Sequence, residues 1–78
     1  RSRLWSTDGY LDMQNNIKLE RSRLQMTQQE LAEALGVSRQ AVHAIETGKF
    51  NPSTLLSLKI SQVFGKPVNE IFFLETGD

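Results

Sequence analysis

Between Gln28 and Thr47 the chain reads QQELAEALGVSRQAVHAIET: two short amphipathic helical patterns with only Gly36 and Val37 between them. Thr27 and Glu30 have the spacing of a capping box, in which each side chain satisfies a free N–H at a helix start. The helix that follows turns Leu31, Ala32 and Leu35 inward and stops before Gly36, a residue that tolerates the left-handed conformation of a helix end. Val37 is apolar and plugs the turn. Ser38 caps the next helix, which runs from Arg39 to about Thr47 with Val42 and Ile45 inward, and Gly48 stops it. Two helices joined this tightly must cross at a steep angle. A small residue is needed where their backbones approach, and Ala32 occupies that place.

The flanking sequence supplies further helices. Met13, Ile17, Arg21 and Leu24 fall at helical spacing, which predicts a first helix over about Gln14 to Leu24. Asn51–Pro52 marks a loop. Ser53 caps a fourth helix carrying Leu56, Ile60, Val63 and Phe64 on one side, and Gly65 ends it. Pro67 suits the start of a short fifth helix holding Val68, Ile71 and Phe72. No strand alternation of convincing length stands out. The expected fold is all-α, a compact five-helix bundle around a central helix-turn-helix, within one domain over residues 13–78. Residues 1–12 read as a flexible leader, either added for expression or lying upstream, with Met13 as the natural start. The alternative is a native arm that packs Trp5 and Tyr10 on the domain.

Composition removes several classes of function. The chain has 78 residues and no cysteine, which excludes disulfides and Cys-based zinc sites and suits a reducing cytoplasm. The single His43 cannot build a metal site unaided. No apolar run approaches the ~20 residues of a membrane span. No carboxylate pair, nucleophile–base set or metal cluster has useful spacing, so an enzyme is not expected, and neither a cofactor nor a small-molecule ligand is implied. Net charge is zero, with nine basic and nine acidic residues, which argues against a non-specific polyanion binder. The charge is uneven, however. From Ser38 to Lys59 the only acid is Glu46, against Arg39, Lys49 and Lys59. Lys59 and Lys66 read as solubilising.

At ~100° per residue, Arg39, His43, Thr47, Gln40 and Ala44 share an arc of about 140° on the third helix, opposite Val42 and Ile45. That arc is polar and suits the major groove of B-DNA. Arg grips guanine O6 and N7, Gln pairs with adenine N6 and N7, and a short Ala permits close approach.

From Asn16 to Phe73 the chain resembles the Cro and phage-repressor-type, XRE-like helix-turn-helix family of transcription regulators. The resemblance is carried by MTQQELAEALGVSRQAVHAIETGKFNPS and LKISQVFGKPVNEIF. It implies base reading by Arg39, Gln40 and Ala44. Ser38 and His43 fall at the helix edges, where relatives contact a phosphate or a base; an ordinary exposed histidine is the competing reading of His43. Gln28 matches a glutamine that holds a phosphate and braces the recognition helix. Thr47, Lys49 and Asn51 resemble a loop that clamps the DNA backbone. Arg21 and Glu46 match a pair that is ionic in relatives. Thr54 and Pro67 depart from the common pattern, where an apolar residue and a capping Ser or Thr are usual.

Phe72, Phe73 and Leu74 are adjacent and cannot all face one small core. With Ile71 they are candidates for a homodimer interface. The functional expectation is a sequence-specific double-stranded DNA-binding regulator, a repressor acting as a dimer. The alternative is an antitoxin or accessory protein-binding factor that also regulates its own operon; a second chain that co-purifies would favour it. An interaction module that has lost DNA binding is opposed by the acid-free arc.

Overall fold

Five helices and a two-stranded ribbon are arranged around Ala32, which has no exposed surface. The computed structural model describes residues 13–74. In chain order the elements are β1 (Met13–Asn15), α1 (Ile17–Arg23), α2 (Gln28–Leu35), α3 (Arg39–Glu46), α4 (Thr54–Phe64), α5 (Val68–Ile71) and β2 (Phe72–Leu74). Each supplies the core or packs on it: Ile17 from α1, Leu31 and Leu35 from α2, Val42 and Ile45 from α3, Ile60 and Phe64 from α4, Ile71 from α5 and Phe72 from β2. Met13, Met26, Val37, Leu56, Val63 and Val68 close the edges.

Local chemistry sets most boundaries. The capping box of α2 is complete: Glu30 N–H donates to Thr27 Oγ1 at 3.0 Å, and Thr27 N–H donates to Glu30 Oε1 at 2.8 Å. Ser38 and Ser53 cap α3 and α4 by accepting from the N–H groups of Ala41 and Leu56, each at 3.1 Å. Between α2 and α3, Gly36 takes φ +76°. Its left-handed turn lets Val37 N–H reach back to the Ala32 carbonyl at 3.0 Å, which satisfies a helix end and reverses the chain.

The N-terminal expectation needs correction. The first helix starts at Ile17, not near Gln14, because Met13–Asn15 is extended and pairs antiparallel with Phe72–Leu74. Asn15 Oδ1 accepts the Ile17 N–H at 3.1 Å, a local turn that competes with helix at this point. Asn16 N–H continues the pairing to the Ile71 carbonyl at 2.8 Å. Phe72 likewise leaves the fifth helix, with φ −118° and ψ 138°, to become strand. The fold is therefore helical but not purely all-α: a short ribbon ties the two ends of the described residues together. The leader reading and its alternative, with Trp5 and Tyr10, lie outside the described residues.

Lys66 also departs from expectation. Its Nζ lies 3.2 Å from Glu20 Oε2, and Arg23 Nη1 lies 3.2 Å from the same oxygen. Glu20 is buried on α1, so these two cations compensate a carboxylate that is otherwise costly to bury. Lys66 is a tie between α1 and the α4–α5 connection.

The end of α1 carries a local strain. Gln25 has φ +55°, a left-handed residue with a Cβ, while Met26 N–H bonds the Arg21 carbonyl at 2.9 Å and Gln25 N–H bonds that of Ser22 at 3.1 Å. Glycine adopts this conformation without the side-chain clash. Gln25→Gly is expected to raise stability by about 0.5–1 kcal/mol, net of glycine's greater unfolded-state freedom. Urea unfolding checks this, and an unchanged or lower midpoint would contradict it.

Candidate nucleic-acid interface

One side of α3 is sealed and the other is open. Val42 and Ile45 are buried, whereas Arg39, Gln40, His43 and Thr47 are exposed and Ala44 is half-buried among them. The hydrophobic anchors thus determine which side chains face outward. Asn15 adds a polar anchor, donating from Nδ2 to the Ile45 carbonyl at 3.0 Å and to that of Glu46 at 3.4 Å. These are last-turn carbonyls beyond the reach of the intrahelical ladder, and that of Ile45 also accepts the Gly48 N–H at 3.1 Å.

The strongest anchor is ionic. Arg21 of α1 grips both carboxylate oxygens of Glu46, through Nε to Oε2 and through Nη2 to Oε1 at 3.2 Å. Its Nη1 donates to the Met26 carbonyl at 2.8 Å. The Arg21 and Glu46 side chains are only 13% and 6% exposed, so the pair is largely removed from water. Glu46 is also the acid that interrupts the Ser38–Lys59 stretch. With its charge held inward by Arg21, the outer face of α3 presents no free carboxylate.

Gln28, the first residue of α2, extends this network. Its Nε2 donates to Glu46 Oε1 at 3.1 Å and lies 3.3 Å from His43 Nδ1. Its Oε1 accepts from Arg39 Nη1 at 3.4 Å. The amide is engaged inside the protein, so the side chain acts here as a brace between α2 and α3. The Gln28 and Gln29 backbone N–H groups, by the rules of helix ends, have no intrahelical acceptor and suit an anion.

The remaining site residues differ in what they offer. Ser38 Oγ accepts from Ala41, which leaves its own hydrogen for donation. Thr47 Oγ1 donates to the His43 carbonyl at 2.9 Å, so its hydroxyl hydrogen is occupied. Gly48 turns the chain, and the Lys49 and Phe50 N–H groups both reach the Ala44 carbonyl, at 2.9 and 3.2 Å. Lys49 and Asn51 are therefore exposed beside the end of α3. Sequence reasoning missed Asn15 and the exposed aromatic Phe50. Adjacent asparagines before a helix signalled the first; only an aromatic in a polar loop hinted at the second.

Two of the four residues expected at a subunit interface belong elsewhere. Ile71 and Phe72 are 0% and 6% exposed and sit in the core of this chain. They face inward because α5 packs on α4 and Phe72 continues into the same core. Phe73 and Leu74 are exposed, at 42% and 56%. Among the described residues no cluster of His, Cys, Asp or Glu is gathered for a metal, and no helix is long and apolar enough to cross a membrane. A shallow groove lined mainly by Leu35, Val37, Leu55 and Leu56, with Ser53 and Lys59 as its polar side chains, lies open to solvent.

This geometry has counterparts in known proteins. A helix-turn-helix family model matches residues 17–71, from the start of α1 to the end of α5. The chain belongs to the XRE-like helix-turn-helix family. It is a DNA-binding transcriptional regulator. An HTH-type transcriptional regulator of Methanocaldococcus jannaschii is 46% identical over 63 residues, 81% of this chain and 96% of the relative. One from Bacillus subtilis is 44% identical over 63 residues, with the same coverage of 81% and 96%. The crystal structure of a Bacteroides fragilis protein shares the fold, with a TM-score of 0.71 at 24% identity over 78% of this chain and 98% of that one. The polar face of α3 and the Arg21–Glu46 pair both lie within the matched helix-turn-helix region. Phe72, Phe73 and Leu74 lie just beyond it.

Breaking a buried pair leaves one charge uncompensated, which is more damaging than replacing both partners. Glu46→Ala is expected to lower unfolding free energy by about 3 kcal/mol, with the double variant Arg21→Met/Glu46→Met recovering much of the loss. Denaturant unfolding measures both. A Glu46→Ala change below about 0.5 kcal/mol, the scale of an exposed pair, would show that the pair is not structural.

Proposed function

We propose that this regulator recognises specific double-stranded DNA as a homodimer, inserts α3 into successive major grooves and represses transcription by occupying a promoter. The observation that carries the reading is the open face of α3: three exposed hydrogen-bonding side chains, Arg39, Gln40 and His43, above a buried Val42–Ile45 face, with the nearest carboxylate neutralised. A helix with this profile fits the major groove.

Arg39 reads guanine through O6 and N7, Gln40 reads adenine, and half-buried Ala44 allows the helix to approach the base edges. His43 reads a base from beside Arg39. Ser38, Lys49, Asn51 and the N-terminus of α2 at Gln28 hold phosphates, which position the helix without selecting sequence. Thr47 supports this loop from within, since its hydroxyl is turned onto α3. The site of action is cytoplasmic DNA.

One module of this size covers few base pairs. A two-fold dimer reads two half-sites about one helical turn, ~34 Å, apart. Exposed Phe73 and Leu74 on β2 provide the apolar surface that supports pairing, and the other strand edge of a short ribbon favours a second copy. No effector domain is needed for repression by occupancy.

In-vitro selection from random duplex DNA tests the reading. The expected product is a two-fold palindrome with half-sites one turn apart; a single asymmetric half-site would contradict the dimer, and no enrichment would contradict specific binding. On the selected duplex, Arg39→Ala is expected to lower specific affinity by about 1–3 kcal/mol. Lys49→Ala should weaken all sequences alike and reduce the salt slope by about one. Equal loss of specific and non-specific binding in Arg39→Ala would remove base reading by that residue.

A further inference from the structure

The Gln28 carboxamide sits between partners whose hydrogen-bonding polarity is fixed. On one side is Glu46 Oε1, at 3.1 Å from the amide nitrogen. A carboxylate paired with arginine accepts and does not donate. On the other side is Arg39 Nη1, at 3.4 Å from the amide oxygen. A guanidinium donates and does not accept. Each partner alone determines which end of the amide is nitrogen, and the two agree. The amide orientation follows from chemistry, not from the resemblance of N to O.

That orientation reaches His43. The same amide nitrogen lies 3.3 Å from His43 Nδ1. One Nε2 hydrogen serves Glu46 and the other faces the ring. A ring nitrogen facing a donor must be the bare, accepting one, so the neutral imidazole carries its hydrogen on Nε2. Nε2 is the outermost ring nitrogen, and His43 is exposed on the open side of α3.

We propose that the Arg21–Glu46–Gln28 chain sets His43 as a hydrogen-bond donor toward DNA through Nε2–H, making it a specificity residue for an acceptor atom. This rests on the DNA-binding reading above. Guanine presents two acceptors in the major groove, N7 and O6, whereas cytosine presents the N4 donor. A donor at this place is satisfied by guanine N7 or O6, adenine N7 or thymine O4, and is opposed by the cytosine N4 donor, so the base opposite His43 is selected against cytosine, with guanine offering the most acceptors. A phosphate oxygen offers the same chemistry without sequence information. Gln28 acts in this scheme as a positioning residue, and Arg21 reaches the DNA-facing surface only through it.

The test uses the full chain labelled with nitrogen-15. A long-range proton–nitrogen spectrum of the neutral His43 ring in the free protein should show a protonated Nε2 and a bare Nδ1. A protonated Nδ1 would overturn the relay while leaving DNA binding untouched. Gln28→Leu removes the amide but keeps bulk, and should shift the Nδ1 resonance; an unchanged ring spectrum would also overturn the relay. The second arm uses a duplex selected by the wild-type protein. His43→Gln places a donor where ring Nε2 stands and should bind close to wild type, whereas His43→Leu should lose roughly 5- to 150-fold. A guanine analogue lacking N7, a guanine–cytosine swap and a methylphosphonate at each neighbouring phosphate identify the acceptor. A base source predicts that the loss appears with a base change and vanishes in His43→Leu; a phosphate source predicts the same pattern with the methylphosphonate alone and removes the specificity role. His43→Leu binding as wild type would overturn the donor role. Failure to select any duplex would sink the DNA-binding reading itself, and the base contact with it, but would not alter the free-protein spectrum.

Discussion

Glu46 sits in the last turn of α3, and its charge has to be compensated before the rest of the surface makes sense. A carboxylate there would repel phosphates if it faced outward and would be costly if buried alone. Arg21 resolves both by gripping it from α1 through two nitrogens. The same contact fixes α1 against α3, and the second Glu46 interaction, with Gln28, fixes α2 against α3. Three helices thus meet at one carboxylate. The positions of Arg39 and His43 inherit that arrangement through the Gln28 amide.

Around this polar centre the fold solves a problem of size. A domain this small buries a limited fraction of its surface, so loose ends weaken it. The β1–β2 ribbon closes the chain on itself by pairing the beginning of the described residues with their end. Such a ribbon is marginal when isolated. Here one face carries Phe72 into the core, and Asn15 on β1 reaches the end of α3. The ribbon is thereby coupled to α3, and its exposed Phe73 and Leu74 lie on the strand proposed to meet a second copy. The proposed DNA-facing helix and the proposed pairing strand are thus connected through a few short-range contacts.

Helix ends were legible because their chemistry is local. Thr27 with Glu30, Ser38 and Ser53 announce starts, and Gly36, Gly48 and Gly65 announce stops, with no need of tertiary information. The open arc of α3 was legible for the same reason: helical period alone separates Arg39, Gln40 and His43 from Val42 and Ile45. The ribbon was not, because three-residue strands are too short to show a period of two, and Met13 and Ile17 mimic helical spacing. The Asn15–Asn16 pair was the available signal for a later helix start. Lys66 could not be matched to Glu20 from sequence, since nothing local links them. The end of α1 near Leu24 was legible, but the left-handed Gln25 after it was not, because glycine normally marks that conformation. The Gln28 amide orientation, finally, required the simultaneous positions of residues from three helices.

The central claim is that α3 offers its uncovered side to a duplex because the Arg21–Glu46 centre and the Val42–Ile45 anchor hold the other side down. Backbone amide mapping by nuclear magnetic resonance, with a selected duplex titrated into labelled protein, tests it most directly. The account predicts that the largest changes cluster on Arg39, Gln40, His43, Ala44 and the Lys49–Asn51 loop, with smaller ones at Gln28. Changes centred on Leu55 and Leu58 of α4, with α3 undisturbed, would contradict it.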